Sequence, residues 1–276
     1  MPLSVNTNIA SLTAQRSLLN SQNTLETAFE RLSTGKRINS AVDDAAGLAI
    51  SQTLTSKVNG LNQAVRNAND GISVVQIAEG ALDEVTTILQ RMRDLAVQAA
   101  NDSLSSTERG YLDTEADKLE SALNDVVGAA KFGSTALLGG GFASGKTFQV
   151  GADNGDTMTI TINTVSAATL TVEDADIVLN GTSGQAQTAI SVIDAALSQV
   201  ASDRASLGAV QSQLESTVRN LANVAENTAA ARSRILDTDY AAETANLTKA
   251  QILQQASTAI LAQANAQPQT VLALLQ

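Results

Sequence analysis

Apolar residues recur at every seventh position between residues 54 and 99, and no proline interrupts them. The main row is Leu54, Leu61, Ala68, Val75, Leu82, Leu89 and Ala96, and a second row is Val58, Val65, Ile72, Ala78, Val85, Met92 and Ala99. Two such rows keep one side of a long helix apolar, which is typical of a coiled coil. Gly60, Gly71 and Gly80 each cost this helix about 1 kcal/mol. We therefore expect a helical rod that depends on partners packed against it.

A second rod is predicted near the other end of the chain. Its main row is Ile193, Val200, Leu207, Leu214, Leu221, Thr228 and Ile235, flanked by Ile190, Leu197, Val218 and Ala225. Because the two rods are similar in length, we expect them to pair antiparallel. The predicted coiled-coil seam consists of Leu54, Leu61, Val75, Leu82, Leu89, Ile193, Val200, Leu207, Leu214 and Leu221.

Breaks at residues 33–35 and 237–239 separate each rod from a terminal arm. A weak heptad row predicts a helix in the first arm: Ala14, Leu18, Ser21, Leu25, Ala28 and Leu32. A helix from about residue 242 to 266 is predicted in the second, and residues 250–276 carry no charge. Such helices are marginal in isolation. We predict that residues 1–43 pair with 237–276 as an inner coiled-coil domain and that the chain polymerises through both arms.

The segment between the rods changes periodicity. Ser105 and Glu108 have capping-box spacing, and a short amphipathic helix through residues 112–126 follows them. Alternating residues on both sides of a turn at 153–156 then predict a hairpin, with further short strands at 169–172 and 177–179. We assign residues 44–131 and 185–236 to a helical rod domain and 132–184 to a small β element within it. The predicted fold class is mainly α, with long antiparallel coiled-coil rods from both chain halves.

Composition excludes several functions. Among 276 residues, 43% are hydrophobic but only 2% are aromatic, and there is no His or Cys. This removes the usual transition-metal ligands, the commonest general base and any disulfide framework. The net charge of −11 argues against nucleic acid as a partner, which requires clustered Lys and Arg. No apolar run fits a signal peptide or a membrane span, so we expect no membrane contact.

Two loops resemble ligand-binding motifs without their context. Residues 140–147 match the phosphate-loop pattern GxxxxGK[ST], but a helix precedes them and an alternating strand follows, the reverse of what phosphate binding needs. Residues 151–156 lack the ligand spacing and closing Glu of a calcium loop. Asp43 and Asp44 fit helix capping better than acid–base catalysis. We therefore predict no catalytic residue, cofactor or metal, and a P-loop nucleotidase is the rival interpretation from another class.

Strings of residues near both ends are similar to bacterial flagellins. The N-terminal strings are Asn6-Thr7-Asn8, Glu30-Arg31-Leu32-Ser33-Thr34-Gly35, Arg37-Ile38-Asn39-Ser40-Ala41, Asp43-Asp44-Ala45-Ala46-Gly47 and Arg66-Asn67-Ala68-Asn69-Asp70-Gly71. The C-terminal strings include Leu207-Gly208-Ala209-Val210-Gln211, Ala231-Arg232-Ser233-Arg234-Ile235 and Lys249-Ala250-Gln251-Ile252-Leu253-Gln254-Gln255-Ala256. The likeness covers roughly the first 135 and last 90 residues and fades in the middle.

This resemblance implies an extracellular structural subunit that self-assembles into the bacterial flagellar filament for motility. It implies export by the flagellar type III apparatus with a chaperone, and contact with the filament cap and hook-associated proteins. The nearer alternative is a hook–filament junction protein of the same superfamily, but the close match in the C-terminal arm favours the filament subunit. The short middle segment implies a flagellin without large outer domains.

The resemblance also implies recognition by host flagellin receptors. Residues 90–98 are similar to the segment bound by the vertebrate flagellin-sensing Toll-like receptor, and Arg91, Leu95 and Glu115 match its contacts. Residues 31–51 are similar to the peptide perceived by plant receptors. Leu95 lies one position away from the seam row, so we expect its side chain to be partly exposed beside Arg91.

Overall fold

Five helices and two short hairpins make up the part of the chain that the structure, a computed structural model, describes. It covers residues 7–274, with side chains for 7–267, so the outermost predicted arm residues, 1–6 and 275–276, lie outside it. The elements are α1 (Ile9–Thr34), α2 (Ala45–Ala99), α3 (Ser106–Ala129), β1 (Lys131–Phe132), β2 (Thr135–Ala136), β3 (Lys146–Gln149), β4 (Thr157–Ile160), α4 (Ser183–Leu236) and α5 (Tyr240–Leu274). The predicted mainly α class is confirmed.

The described residues form two compact units. One, the arm unit, contains residues 7–56 and 227–274, and the other, the rod unit, contains residues 57–226. The boundaries of these units differ from the predicted domain boundaries near residues 43 and 237. The predicted boundaries coincide with the breaks between helices, at 35–44 and 237–239. No helix in the described ranges is long and apolar enough to cross a membrane.

In the rod unit, α2 and α4 pack antiparallel along their apolar rows. Arg93 Nε donates to Asp194 Oδ1 at 2.6 Å, and Arg204 Nη1 lies 2.9 Å from Asp83 Oδ1. Further along, Leu61 clusters with Leu221. From one contact to the next, the residue number therefore decreases on α2 while it increases on α4, as in an antiparallel pair. Of the ten predicted seam residues, the nine in the rod unit are buried, and Leu54, which belongs to the arm unit, is half-buried. The antiparallel pairing of two long helices follows directly from the seven-residue period.

Of the four glycines in α2, three lie beyond its first turn, and close contacts explain two of these three. A Cβ on Gly60 would lie 3.1 Å from Ala152 Cβ, and a Cβ on Gly71 would lie 3.2 Å from Ile160 Cδ1. The β3–β4 hairpin therefore approaches α2 at the places where α2 carries no side chain. Gly80 differs, because no described atom would lie within 4 Å of its Cβ.

The helix α3 begins with the predicted capping box and carries a buried arginine. Ser105 Oγ accepts from the Glu108 backbone N–H, while Glu108 Oε2 accepts from the Ser105 N–H at 2.8 Å. The guanidinium of Arg109 donates to three backbone carbonyls, those of Ala99, Asn101 and Gly181, at 3.0–3.1 Å. Arg109 therefore ties the end of α2 and the start of α4 to α3, while satisfying carbonyls that a helix end leaves unpaired.

The β element is smaller than predicted. β3 and β4 pair antiparallel, with Lys146 opposite Ile160, around the predicted turn. The strands expected at 169–172 and 177–179 are wrong, because backbone N–H groups there bond to a nearby carbonyl or to a side chain of α3 and not to another strand. Val172 N–H donates to Ala167 O, and Leu179 N–H donates to Asp113 Oδ1 at 2.9 Å. Both apolar side chains are nevertheless fully buried, which is why the alternating pattern looked like strand.

Candidate functional site: the paired terminal helices

Small side chains line the contact between α1 and α5 in the arm unit. The buried positions are Ser11, Ala14, Ser21 and Ala28 on α1, and Glu243, Ala250, Ser257 and Ala264 on α5. Those on α5 are spaced by seven, as a coiled-coil seam requires. Small residues in a seam let two helices approach closely but bury little apolar area. Leucines occupy the intervening seam positions but are only half-buried: Leu18, Leu25, Leu32, Leu247 and Leu261. The seam therefore covers little of the large apolar surface of the arms.

Polar contacts along this seam fix the register. Asn8 Nδ2 donates to the Ala264 carbonyl at 2.7 Å, and Ser11 Oγ donates to Asn265 Oδ1 at 2.8 Å. Near the other end of α1, an Arg31 guanidinium nitrogen lies 4.0 Å from Glu243 Oε2. Because the start of α1 meets residues late in α5, and its end meets residues early in α5, the two helices run antiparallel.

Large apolar side chains of the paired helices face outward. Ile9 is 67% exposed, Phe29 64% and Ile252 60%. Of the fifteen exposed large hydrophobic side chains in the described residues, ten belong to the arm unit, although it is much the shorter unit. Ile9, Leu253 and Ile260 also border an open apolar groove of about 500 Å³. A contiguous apolar surface of this kind marks an interaction site.

Backbone hydrogen bonds connect the two predicted breaks to each other. Arg37 N–H donates to Leu236 O at 2.7 Å, and Thr238 N–H donates to Gly35 O at 3.1 Å. Gly35 has a φ of +71°, and a Cβ there would lie 2.9 Å from the Tyr240 hydroxyl, so the turn requires glycine. The mirrored breaks seen in the sequence are thus one structural feature.

The paired aspartates after this turn accept hydrogen bonds from backbone N–H groups. Asp44 Oδ1 accepts from the Gly47 N–H at 2.9 Å, the N-cap arrangement for α2. Asp43 Oδ2 accepts from the backbone N–H groups of Ser40 and Asn39. These bonds lower the pKa of Asp43, with the Ser40 N–H as the largest cause. Asp44 therefore fits the helix-capping interpretation of the sequence, whereas Asp43 holds the turn that precedes α2.

The residues matched to the receptor segment lie partly at the surface. Arg91 Nη2 donates to Glu115 Oε1 at 2.6 Å, which joins α2 to α3, and both side chains are about half exposed. Leu95 is different, because its side chain is only 1% exposed and belongs to the rod unit's core. The expectation that Leu95 is partly exposed is wrong, because the core of the rod unit covers α2 on more than its two predicted apolar rows.

Three carboxylates that sequence reasoning did not connect lie together beside α3. Oxygens of Asp113, Asp117 and Asp174 are all within 4.8 Å of one another. Burial, then the charges of Asp174 and Asp113, raise the pKa of Asp117. Asp113 is already engaged, because it accepts from Leu179 N–H and Asn180 Nδ2. Only the four-residue spacing of Asp113 and Asp117 on one helix face could have hinted at this cluster.

The loop that matches the phosphate-binding pattern contains two tight turns. Gly145 N–H donates to Phe142 O at 2.9 Å, and Gly140 and Gly145 have φ of +93° and +77°. β3 begins immediately afterwards at Lys146. A strand therefore follows the loop, as predicted, where a phosphate loop would present a helix N-terminus.

Family models match most of this sequence. Residues 5–143 match the bacterial flagellin N-terminal helical region, and residues 190–275 match the bacterial flagellin C-terminal helical region. The chain belongs to the bacterial flagellin family. The unmatched residues, 144–189, include the β3–β4 hairpin and the loops that follow it.

Individual flagellins align with the entire chain. Flagellin B of Vibrio cholerae is 38% identical over 376 aligned positions, and flagellin A of Vibrio anguillarum is 37% identical over 380, with 100% of both chains covered in each case. The crystal structure of Bacillus cereus flagellin has a TM-score of 0.50 at 29% identity, over 60% of this chain and 94% of that one. A Vibrio parahaemolyticus protein assigned as flagellar hook-associated has a TM-score of 0.61 at 17% identity, which shows a shared fold alone.

Membership in the flagellin family identifies a structural function. This flagellin is a self-polymerising subunit of the bacterial flagellar filament, the extracellular part of the flagellum. The full-length matches to filament flagellins do not favour the hook–filament junction alternative. Sequence reasoning predicted a helix in each arm, which the structure has, but it missed that many of their large apolar residues would lie outside the seam.

Proposed function

We propose that the outward apolar face of α1 and α5 is the surface through which this flagellin polymerises. The observation that supports this most is that the pairing of α1 and α5 leaves many large apolar side chains exposed, while the fully buried seam positions are mostly small. An ordinary two-helix coiled coil buries its large apolar residues in the seam instead. The outward face of this pair is suited to contact with further subunits.

The apolar residues on this face could supply a large driving force for assembly. Burying one Leu, Ile or Phe side chain that was fully exposed contributes about 1.5–3 kcal/mol. Among the side chains that the structure describes, seven exposed residues of these types belong to α1 and α5: Ile9, Leu12, Leu19, Phe29, Ile252, Leu253 and Ile260. Each already loses part of its exposure in the monomer, so the gain per residue is smaller, but many subunits repeat it along a filament.

In this proposal the rods and arms have separate tasks. The ten seam residues predicted from the heptad rows hold the α2–α4 rod together within one subunit. The arms, residues 1–43 with 237–276, form the inner layer of the filament, and the rod domain, residues 44–131 with 185–236, surrounds it. Residues 132–184 form the small β element of the rod domain. The function is mechanical, and no step requires a catalytic residue or a cofactor.

A matched pair of substitutions on α5 tests the proposed surface. Ile252→Lys places a charge on the apolar face, and Gln251→Lys places the same charge at the neighbouring exposed polar position. Both side chains are exposed in the monomer, so both variants should fold, as circular dichroism can verify. We expect Ile252→Lys to abolish seeded polymerisation, measured by sedimentation, and Gln251→Lys to polymerise.

The outcome that contradicts the proposal is equally clear. If folded Ile252→Lys forms filaments as readily as the parent, the outward face of α5 does not mediate assembly. If both variants fail equally, the added charge acts through the arm as a whole, and the assignment of this particular face is wrong.

Membership in the flagellin family supports further partners as proposals. These are the flagellar export apparatus with a chaperone, the filament cap, and the hook-associated proteins, which we expect to bind the same terminal arms. The net charge of −11 supports the absence of nucleic acid as a partner. We propose no membrane contact for the assembled subunit.

We also propose that host flagellin receptors contact the Arg91–Glu115 pair. The exposed guanidinium and carboxylate join two helices at the surface, and a protein partner can engage such charged groups together. Leu95 was matched to the same receptor contact, but its side chain is buried in the core of the rod unit, so in this proposal it supports the helix that carries Arg91 and does not touch the receptor. The plant receptor peptide, residues 31–51, overlaps the capped turn of the arm unit, where Val42 is 96% exposed.

A further inference from the structure

Three Asn–Gly pairs occur in the sequence, at Asn59–Gly60, Asn154–Gly155 and Asn180–Gly181. Such a pair can react without an enzyme, because the backbone nitrogen of glycine can attack the side-chain amide carbon of asparagine. Glycine assists because it has no Cβ to hinder the approach and can reach conformations closed to other residues. The reaction requires a free backbone N–H and an asparagine side chain that can rotate towards it.

The fold protects two of these pairs in different ways. Asn59 and Gly60 lie inside α2, where backbone N–H groups are engaged in the helix, and Gly60 is packed against Ala152. Asn180 Nδ2 donates to Asp113 Oδ2 at 2.6 Å, which holds the amide away from its own backbone. Gly181 is also fixed, because its carbonyl accepts from Arg109 Nη1 at 3.0 Å.

The third pair is open. Asn154 and Gly155 form the tip of the β3–β4 hairpin, and both are exposed. Hydrogen bonds frame the tip at Asp153, whose carbonyl accepts from Asp156 N–H and from Gln149 Nε2. Among the described residues, none bonds to the Asn154 side chain or accepts from the Gly155 N–H. Gly155 has a φ of +97°, with nothing within 4 Å of where a Cβ would stand.

We propose that Asn154 is a site of spontaneous deamidation in the folded protein. Gly155 N loses its proton to a base in the solvent and forms a bond to Asn154 Cγ. The bond from Cγ to the side-chain nitrogen breaks, and ammonia leaves with that electron pair after taking a proton from water. Water then opens the resulting succinimide ring at one of its two carbonyls, which leaves aspartate or isoaspartate at position 154. No oxidant or reductant takes part.

The product changes the hairpin in a defined way. It adds a negative charge between Asp153 and Asp156, close to Lys57, whose Nζ lies 3.9 Å from Asp153 Oδ2. The isoaspartate form also inserts one extra carbon into the main chain of a tight turn. This modification concerns the β3–β4 hairpin alone, so it does not depend on the proposed assembly surface.

The test compares the three pairs within one chain. Folded flagellin is incubated in mildly alkaline buffer, digested, and analysed by mass spectrometry for conversion of each asparagine amide to an acid. A parallel sample is incubated in denaturant, and an Asn154→Gln variant identifies the hairpin peptide. In the folded chain, we expect deamidation at Asn154 to be at least about tenfold faster than at Asn59 and Asn180. Asn59 and Asn180 can react only after the structure around them opens locally, whereas Asn154 can react in the folded hairpin.

The denatured sample makes the result decisive. We expect the three rates to converge in denaturant, which would show that the fold and not the local sequence selects Asn154. Modification of Asn59 or Asn180 as fast as Asn154 in the folded chain would overturn the proposal. So would an unmodified Asn154, or an unchanged order of rates after unfolding.

Discussion

Substituting alanine for two glycines of α2 should change stability in opposite directions. In a helix interior, alanine is favoured over glycine by about 1 kcal/mol. Gly80 is exposed, with open space where a Cβ would stand, so Gly80→Ala should stabilise the folded monomer by about that amount. At Gly71 the new Cβ would meet Ile160 Cδ1 at 3.2 Å and Leu214 Cδ1 at 3.4 Å. Overpacking of this kind costs about 1–3 kcal/mol.

The net effect at Gly71 therefore lies between neutrality and a loss of about 2 kcal/mol, once the helix propensity is included. Urea unfolding of both monomeric variants, followed by circular dichroism, measures the difference. We expect the midpoint of Gly80→Ala above that of the parent and the midpoint of Gly71→Ala at or below it. If Gly71→Ala stabilises the chain as much as Gly80→Ala does, the packing of the hairpin and α4 against α2 is wrong.

Four other predictions follow from the same structure. Leu82→Asp buries a charge at a fully buried seam position and should destabilise the monomer by at least about 3 kcal/mol, and parent-like melting would contradict the seam. Arg91→Ala should weaken monomer binding to the Toll-like receptor at least about tenfold, as surface plasmon resonance can measure, with helix content unchanged. Asp117→Asn should raise the urea midpoint at neutral pH, because the raised pKa of Asp117 means that its charged form is disfavoured in the folded state. This gain should shrink as the pH falls through the raised pKa of Asp117 and should be absent below about 4, where the carboxyl is protonated in the unfolded chain as well, and a pH-independent gain would contradict it. Limited proteolysis of the monomer should remove roughly the first and last forty residues, because marginal helices open locally, and full protection of both ends would contradict it.

The periodic parts of the fold could be predicted from the sequence because heptads specify contacts by spacing alone. Leu82 and Leu214 are both fully buried, as their rows require, and the capping box at Ser105 follows from its residue types. The breaks at residues 33–35 and 237–239 were also located. Spacing could not show that Gly35 and Thr238 hydrogen-bond to each other, since that contact joins positions about two hundred residues apart.

Other features depend on which side of an element its neighbours occupy. Val172 and Leu179 are buried like strand residues, yet their N–H groups bond to a nearby carbonyl and to Asp113, which alternation cannot reveal. Leu95 seemed to belong outside the seam, but α2 has neighbours on more than one side. The outward position of Ile252 and Phe29 was missed for a related reason, because a heptad row shows which residues lie in a seam but not what covers the other sides of the helix.

The chain contains no cysteine, so a single introduced thiol can report on the proposed assembly surface. In an Ile252→Cys variant, the thiol would lie on the outward face of α5, where the isoleucine is 60% exposed in the monomer. The rate of its reaction with a water-soluble maleimide is measured in monomers and in filaments of the same variant. We expect rapid labelling of the monomer and strong protection in the filament. Labelling at the same rate in both would show that this face stays open to solvent after assembly, and would contradict the account.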